Sequence, residues 1–204
     1  MIVILDAGLG NVGSILNMLK KIGASARVSS SRDDIQAATK LILPGVGAFD
    51  TGMTQLERSG FLDLLHRRVL EEKVPVLGVC LGMQLLGKRS EEGILPGLGW
   101  VDAESVRFAA PPASPIKIPH MGWNTVTARD GATLFRNADA ESRYYFVHSY
   151  PVVVADPSDS AATGFHGVRF NAALERGNIH GTQFHPEKSH RFGLQVFKNF
   201  VDLA

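Results

Sequence analysis

The feature that most limits what this chain can fold into is a series of short, mostly apolar segments separated by stretches of helical periodicity. Ile2-Val3-Ile4-Leu5 comes first, then Ala26-Arg27-Val28, then Lys40-Leu41-Ile42-Leu43 closed by Pro44-Gly45, then Val74 to Val79. Continuous apolar, β-branched runs suit strands buried on both faces of a parallel sheet. Between them, Asn11 is placed to cap a helix whose Ile15, Leu16, Met18, Leu19 and Ile22 recur at helical spacing until Gly23 stops it. Ser31 with Asp33 and Asp34 starts a second helix, and Phe61 to Glu72 makes a third, amphipathic one. This βαβαβ alternation requires right-handed crossovers. It predicts an α/β fold, a mainly parallel central sheet flanked by helices, with ligands at the carboxyl ends of the strands.

Past Trp100 the runs shorten and alternate, at Glu104–Phe108, Tyr144–Val147, Ala162–Phe165 and Asn178–Phe184. They predict a smaller mixed or antiparallel portion in the C-terminal half. A last helix, Arg191 to Asp202, offers Phe192, Val196, Phe197 and Phe200 for packing. Residues 109–115, Ala-Ala-Pro-Pro-Ala-Ser-Pro, form a loop too short for a domain linker. A single domain over 1–204 is expected.

Charge and cysteine usage narrow the setting. With 21 Lys and Arg against 20 Asp and Glu, the net charge of +1 and the absence of any basic cluster argue against a nucleic-acid track. One cysteine excludes an internal disulfide. No apolar run approaches the ~20 residues a bilayer span needs, and Met1 to Asp6 lacks the charged start of a signal peptide. A reducing, cytoplasmic setting is therefore expected.

Gly8-Leu9-Gly10-Asn11-Val12-Gly13 matches G-x-G-x-x-G between the first strand and the first helix, the place of a dinucleotide fingerprint. Such a site needs an acid at the end of the second strand to hold the ribose. That strand ends Val28-Ser29-Ser30-Ser31-Arg32, with Asp33 and Asp34 already in the next helix start. Only Arg32 remains as a conceivable reader of a 2′-phosphate, so a glycine-rich turn facing a cleft is expected instead.

The lone cysteine carries more information. A single thiol is usually a small buried hydrophobe, but here it sits in Gly78-Val79-Cys80-Leu81-Gly82, after an apolar strand and before Leu81 to Leu86. This is the cysteine form of the G-x-S-x-G elbow, whose glycines are needed where strand and helix approach too closely for a Cβ. The first free amides of the helix point back at the sulfur, favouring a thiolate and offering an oxyanion site. Pro44-Gly45-Val46-Gly47 ends the third strand on the same sheet edge, so its amides can join that of Leu81.

A thiolate that attacks an acyl group needs a proton carrier and a group to orient it. Among seven histidines, His185 lies in Phe184-His185-Pro186-Glu187. Residues two apart in an extended segment project to one side, so the Glu187 carboxylate can reach the far imidazole nitrogen. A metal set of His180, His185, Glu187 and His190 is the rival reading of these residues. Pro186 prevents the helical i, i+4 geometry and no second cysteine is present, so no metal is expected.

Gly78-Val79-Cys80-Leu81-Gly82-Met83-Gln84 combined with Phe184-His185-Pro186-Glu187 resembles the triad-type, class I glutamine amidotransferases over nearly the whole chain. Gly10-Asn11, Leu43 to Phe49, Pro119 to Asn124 and Phe146 to Tyr150 look like the branch that forms the glutaminase subunits of imidazole glycerol phosphate synthases. The resemblance implies Cys80 as nucleophile, His185 as general base and acid, and Glu187 as orienting carboxylate. It also implies oxyanion amides at Gly47 and Leu81, and a glutamine pocket lined by Gln84, His148, Ser149 and Tyr150, with Gly82 giving close access. Asn11, Met121, Trp123 and Lys188 would face a partner, a (β/α)8-barrel cyclase in a heterodimer. No metal or organic cofactor is implied. One departure is Ala7, where such subunits commonly carry an aromatic residue.

Other readings compete. An amidotransferase serving another synthase, for anthranilate or pyridoxal phosphate, would not be expected to carry His120-Met121-Gly122-Trp123-Asn124. A non-catalytic redox or chaperone protein with an elbow cysteine would need neither His185 nor Glu187. Without the resemblance, Met121 and Trp123 would be core fillers and Tyr150 a half-buried strand residue. His66, His120 and His166 are assigned structural or surface places.

Overall fold

A computed structural model describes residues 1–109 and 115–203, so most of the predicted 109–115 loop lies outside the described residues. The first half alternates as expected: β1 (Ile2–Leu5), α1 (Val12–Lys21), β2 (Ala26–Ser29), α2 (Arg32–Ala37), β3 (Lys40–Gly45), α3 (Phe49–Arg58), α4 (Leu62–His66), β4 (Val76–Cys80) and α5 (Leu81–Leu85). Short strands follow, β5 (Arg89–Ser90), β6 (Ala103–Ser105), β7 (His120–Thr125), β8 (Thr127–Ala128), β9 (Arg143–His148) and β10 (Val152–Val154). The chain continues through β11 (Ser160–His166), β12 (Val168–Arg176) and β13 (Ile179–Thr182) to α6 (His190–Val201).

The main sheet runs in the order β2-β1-β3-β4-β13-β12-β10-β6-β5, with β11 and β8 extending it beside β12. From β2 to β13 every pairing is parallel, and β12 turns the sheet antiparallel. A separate antiparallel ribbon pairs β7 with β9. The α/β fold with a mixed second half is thus present. Strand residues alternate between two cores. Val3, Leu5, Leu41, Leu43 and Val76 pack with α2 to α5 on one face, and Ile2, Ile4, Ile42, Leu77 and Val79 pack with α1 and α6 on the other. Among the described residues, no helix is long and apolar enough to cross a membrane.

Three local features differ from the sequence reading. The helix predicted over 61–72 is regular only over Leu62–His66 and widens into a π turn over Arg67–Glu71. There the buried Arg68 guanidinium bonds the Ala38 carbonyl and Glu72, a polar demand that an apolar-periodicity argument does not weigh. Helix α3 buries Phe49, Met53 and Leu56 on one side, but Gly52 among them weakens its helical signal in the sequence. Strand β4 includes Cys80 itself.

Candidate active site

Cys80 ends a strand and precedes a helix at φ 53°, ψ −108°, a left-handed backbone that a non-glycine residue holds only under local constraint. The constraint comes from the flanking glycines. A Cβ on Gly78 would meet the Gly82 carbonyl oxygen at 2.7 Å and the Met83 nitrogen at 2.8 Å, and one on Gly45 would meet the Gly82 nitrogen at 2.6 Å. Gly82 lacks a side chain because the Leu43 carbonyl occupies that space. Its smallness seats α5 against β3.

A cavity of about 440 Å³ opens at the carboxyl ends of β3, β4 and β13. Cys80, His185, Gly47, Leu81, Gln84, His148, Ser149, Tyr150 and Lys188 line it. His185 Nδ1 is 2.8 Å from Glu187 Oε1, with the two side chains only 1% and 3% exposed. Its buried Nε2 makes no hydrogen bond among the described residues, and Cys80 lines the same cavity. Burial disfavours the charged imidazole, but Cys80 and Glu187 outweigh it and raise the ring from 6.5 to about 9.

Two contacts at the sulfur had no sequence signal. Gln183 Nε2 and the Val147 carbonyl each lie 3.9 Å from Sγ. The fully buried Gln183 also faces Gln84, whose amide donates to the Tyr150 carbonyl at 2.8 Å. A chain of amides therefore ties the cavity wall to the thiol. In the β3 turn, the Val46 amide donates to the Leu9 carbonyl at 2.6 Å, so it is not open to a ligand in this arrangement. That bond also accounts for the G-x-G-x-x-G decoy: the loop packs onto Pro44, where a Cβ on Gly10 would fall 2.9 Å from the ring.

The remaining predicted residues are dispersed. Met121 and Trp123 point outward from β7, 63% and 45% exposed, so they are not core fillers. Trp123 stacks on His190 at 5.4 Å, and Lys188 Nζ lies 5.7 Å from the Tyr145 ring centre. Asn11 is exposed, its side chain capping α1 through the Ser14 amide at 3.2 Å. Ala7 packs half-buried against the core. His180 packs on Phe200 instead of joining His185, and among the described residues no three His, Cys, Asp or Glu side chains converge on a metal geometry.

An elbow thiol, an imidazole and a carboxylate around one cavity, on this sheet order, define a class of enzyme fold, and the chain belongs to it: residues 3–203 match the family "Glutamine amidotransferase class-I". Within that class, the chain is 54% identical over 204 residues to "Imidazole glycerol phosphate synthase subunit HisH 2" of Pseudomonas aeruginosa, covering 100% of both chains. The same name attaches to a Methanococcus maripaludis relative 49% identical over the same length. A solved "glutamine amidotransferase" superposes with a TM-score of 0.72 at 19% identity, covering 98% of this chain and 97% of its own, which speaks to the fold alone.

Proposed function

We propose that the chain hydrolyses L-glutamine to glutamate and ammonia and passes the ammonia to a partner subunit. The Cys80 sulfur attacks the side-chain amide carbon, and the resulting oxyanion is held by the Gly47 and Leu81 amides, each worth about 3–4 kcal/mol in comparable sites. His185 takes the thiol proton and delivers it to the departing nitrogen, leaving a thioester. The same ring then activates water, which releases glutamate and restores the thiol. Glu187 keeps the His185 proton on Nδ1 throughout, so that Nε2 does the transfer. Gln84, His148, Ser149 and Tyr150 form the substrate wall, backed by Gly82.

The observation that supports this reading is His185, bonded to the buried Glu187 carboxylate, lining with Cys80 a cavity large enough for an amino acid. The relatives' shared name supports histidine biosynthesis as the setting, with imidazole glycerol phosphate and an aminoimidazole carboxamide ribonucleotide as products of the complex. Free ammonia in water is largely protonated and then cannot attack, so a dry path into the partner, a (β/α)8-barrel cyclase, is required. Asn11, Met121, Trp123 and Lys188 form its docking face, an assignment supported by the exposure of Met121 and Trp123. A nucleophilic thiol suits a reducing cytoplasm.

The test is glutamate release by the chain with and without the cyclase, for wild type and Cys80→Ala. Activity is expected to rise with the partner and to vanish in the variant. Undiminished turnover by Cys80→Ala would sink the proposal.

A further inference from the structure

Three histidines cluster behind the cavity wall, and their hydrogen bonds have a direction that can be worked out. Strands β7 and β9 set His120 opposite His148, both rings buried. His120 Nδ1 lies 3.0 Å from His148 Nε2, and His120 Nε2 lies 3.1 Å from Asn124 Nδ2. Ring-to-ring contacts alone leave the protons unassigned. The Asn124 amide assigns them. Its Nδ2 also donates to the Phe165 carbonyl at 2.9 Å and its Oδ1 accepts from the Thr125 amide at 2.9 Å, so the amide can stand only one way round.

An amide NH2 is a donor only. His120 Nε2 must therefore accept, which puts the His120 proton on Nδ1. That N–H donates to His148 Nε2, and His148 in turn carries its own proton on Nδ1. A second proton on either ring would set N–H against N–H. The surroundings agree. His120 is sandwiched between Phe146 at 4.8 Å and His166 at 4.3 Å, the latter fastened to the Lys117 carbonyl at 2.8 Å. Burial, then His166, pushes His120 down to about 4, and burial, then His120, His166 and His185, pushes His148 well below its ordinary value.

We propose that Asn124 and His120 are positioning residues that lock His148 as the neutral Nδ1–H tautomer and so hold the His148-Ser149-Tyr150 wall of the cavity. Its significance for glutamine rests on the function proposed above. The locked Nδ1–H makes no hydrogen bond among the described residues, and two residues on, the Tyr150 carbonyl takes the Gln84 amide. A neutral His148 also spares the His185 imidazolium a second positive charge. Alternation along β7 serves two purposes here: His120 and Asn124 turn inward to this relay while Met121 and Trp123 turn outward.

Long-range proton–nitrogen spectra of the ¹⁵N-labelled full-length chain test the assignment. His120 and His148 are expected to show the neutral Nδ1–H pattern and to keep it down to about pH 5. His120→Asn, whose amide can replace the Nδ1–H donor, should remove one signal and leave His148 unchanged. In His120→Leu and Asn124→Leu, the glutamine KM should rise about tenfold with kcat within about threefold, and His120→Asn should restore it. A wild-type His120 or His148 that is cationic near neutral pH, or protonated on Nε2, overturns the inference even if the leucine variants fail to fold. The spectra do not require turnover: the expected tautomers in a chain without glutaminase activity would leave the relay standing and remove the function.

Discussion

Replacing Gly78 with alanine tests whether the elbow is set by close approach. The added methyl would meet the Gly82 carbonyl oxygen at 2.7 Å, the Gly82 carbonyl carbon at 2.8 Å and the Met83 nitrogen at 2.8 Å, all backbone. Ordinary contact begins at 3.4 Å, so the first turn of α5 must retreat by about 0.7 Å. It has little room, because Gly45 and Gly82 already seat it on β3 and a Cβ on Gly181 would press on Met83. Overpacking against fixed backbone costs about 2–3 kcal/mol. With a urea slope of about 3 kcal/mol/M, the unfolding midpoint should drop by close to ~1 M. The same shift moves the Leu81 amide relative to the sulfur, so glutaminase activity should fall about 10- to 100-fold. Gly13→Ala is the control. Beyond its chain neighbours and the helix's own backbone nothing lies within 4 Å of a Cβ there, and the residue sits in helix α1, so that variant should gain up to about 1 kcal/mol. A Gly78→Ala protein with an unchanged midpoint and full turnover would refute the close-approach reasoning.

Glu187→Gln can present an N–H to His185 Nδ1 and so disfavour the working tautomer; glutamate release should fall by at least about a hundredfold. His185 also predicts a pH dependence of stability. Its folded value, about 9, exceeds the ordinary 6.5, so the charged ring stabilises the fold fully below about 6.5 and loses that contribution as pH rises through about 9. Urea midpoints of the wild type should decline across this window and those of His185→Asn should decline less; a wild-type midpoint that climbs there contradicts the sign. Trp123→Ala should change the folding midpoint by no more than about 0.5 kcal/mol yet weaken cyclase binding by about 1 kcal/mol or more, measured by calorimetric titration.

Much of this was legible in the chain because it depends on local rules. Ile2-Val3-Ile4-Leu5 is short, β-branched and apolar throughout, as a doubly buried strand requires, and Gly78-x-Cys80-x-Gly82 states its own steric reason. The pairing of His185 with Glu187 is also local, although a tight turn over Pro186–Lys188 makes it and not the extended spacing that the sequence suggests. What stayed hidden depends on partners far away in sequence. Gln183 was visible as a residue, but its bond to the sulfur spans 103 positions. His120 was assigned a structural place because nothing local shows that β7 pairs with β9 in the register that sets it opposite His148. The π turn at Arg67–Glu71 answers to a buried arginine whose acceptor sits at Ala38.

The convergence of residues 80 and 185 then follows from one pairing. Strands β4 and β13 are parallel neighbours, Gly181 opposite Gly78 and Thr182 opposite Val79, so both chains leave the sheet at the same edge. One step further sets Gln183 level with Cys80, and two more carry His185 past the sulfur, where Pro186 turns the chain and brings Glu187 back beneath the ring. A slip of a single residue would reverse which face each β13 side chain occupies, turning Gln183 away from the thiol and His185 away from the cavity. The register is guarded by size. Gly181 packs so near Met83 that the slipped arrangements, which bring His180 or Thr182 to that point, would drive a branched or aromatic side chain into α5. The same absence of a Cβ that lets helix and sheet meet at the elbow therefore also fixes the strand that delivers the imidazole.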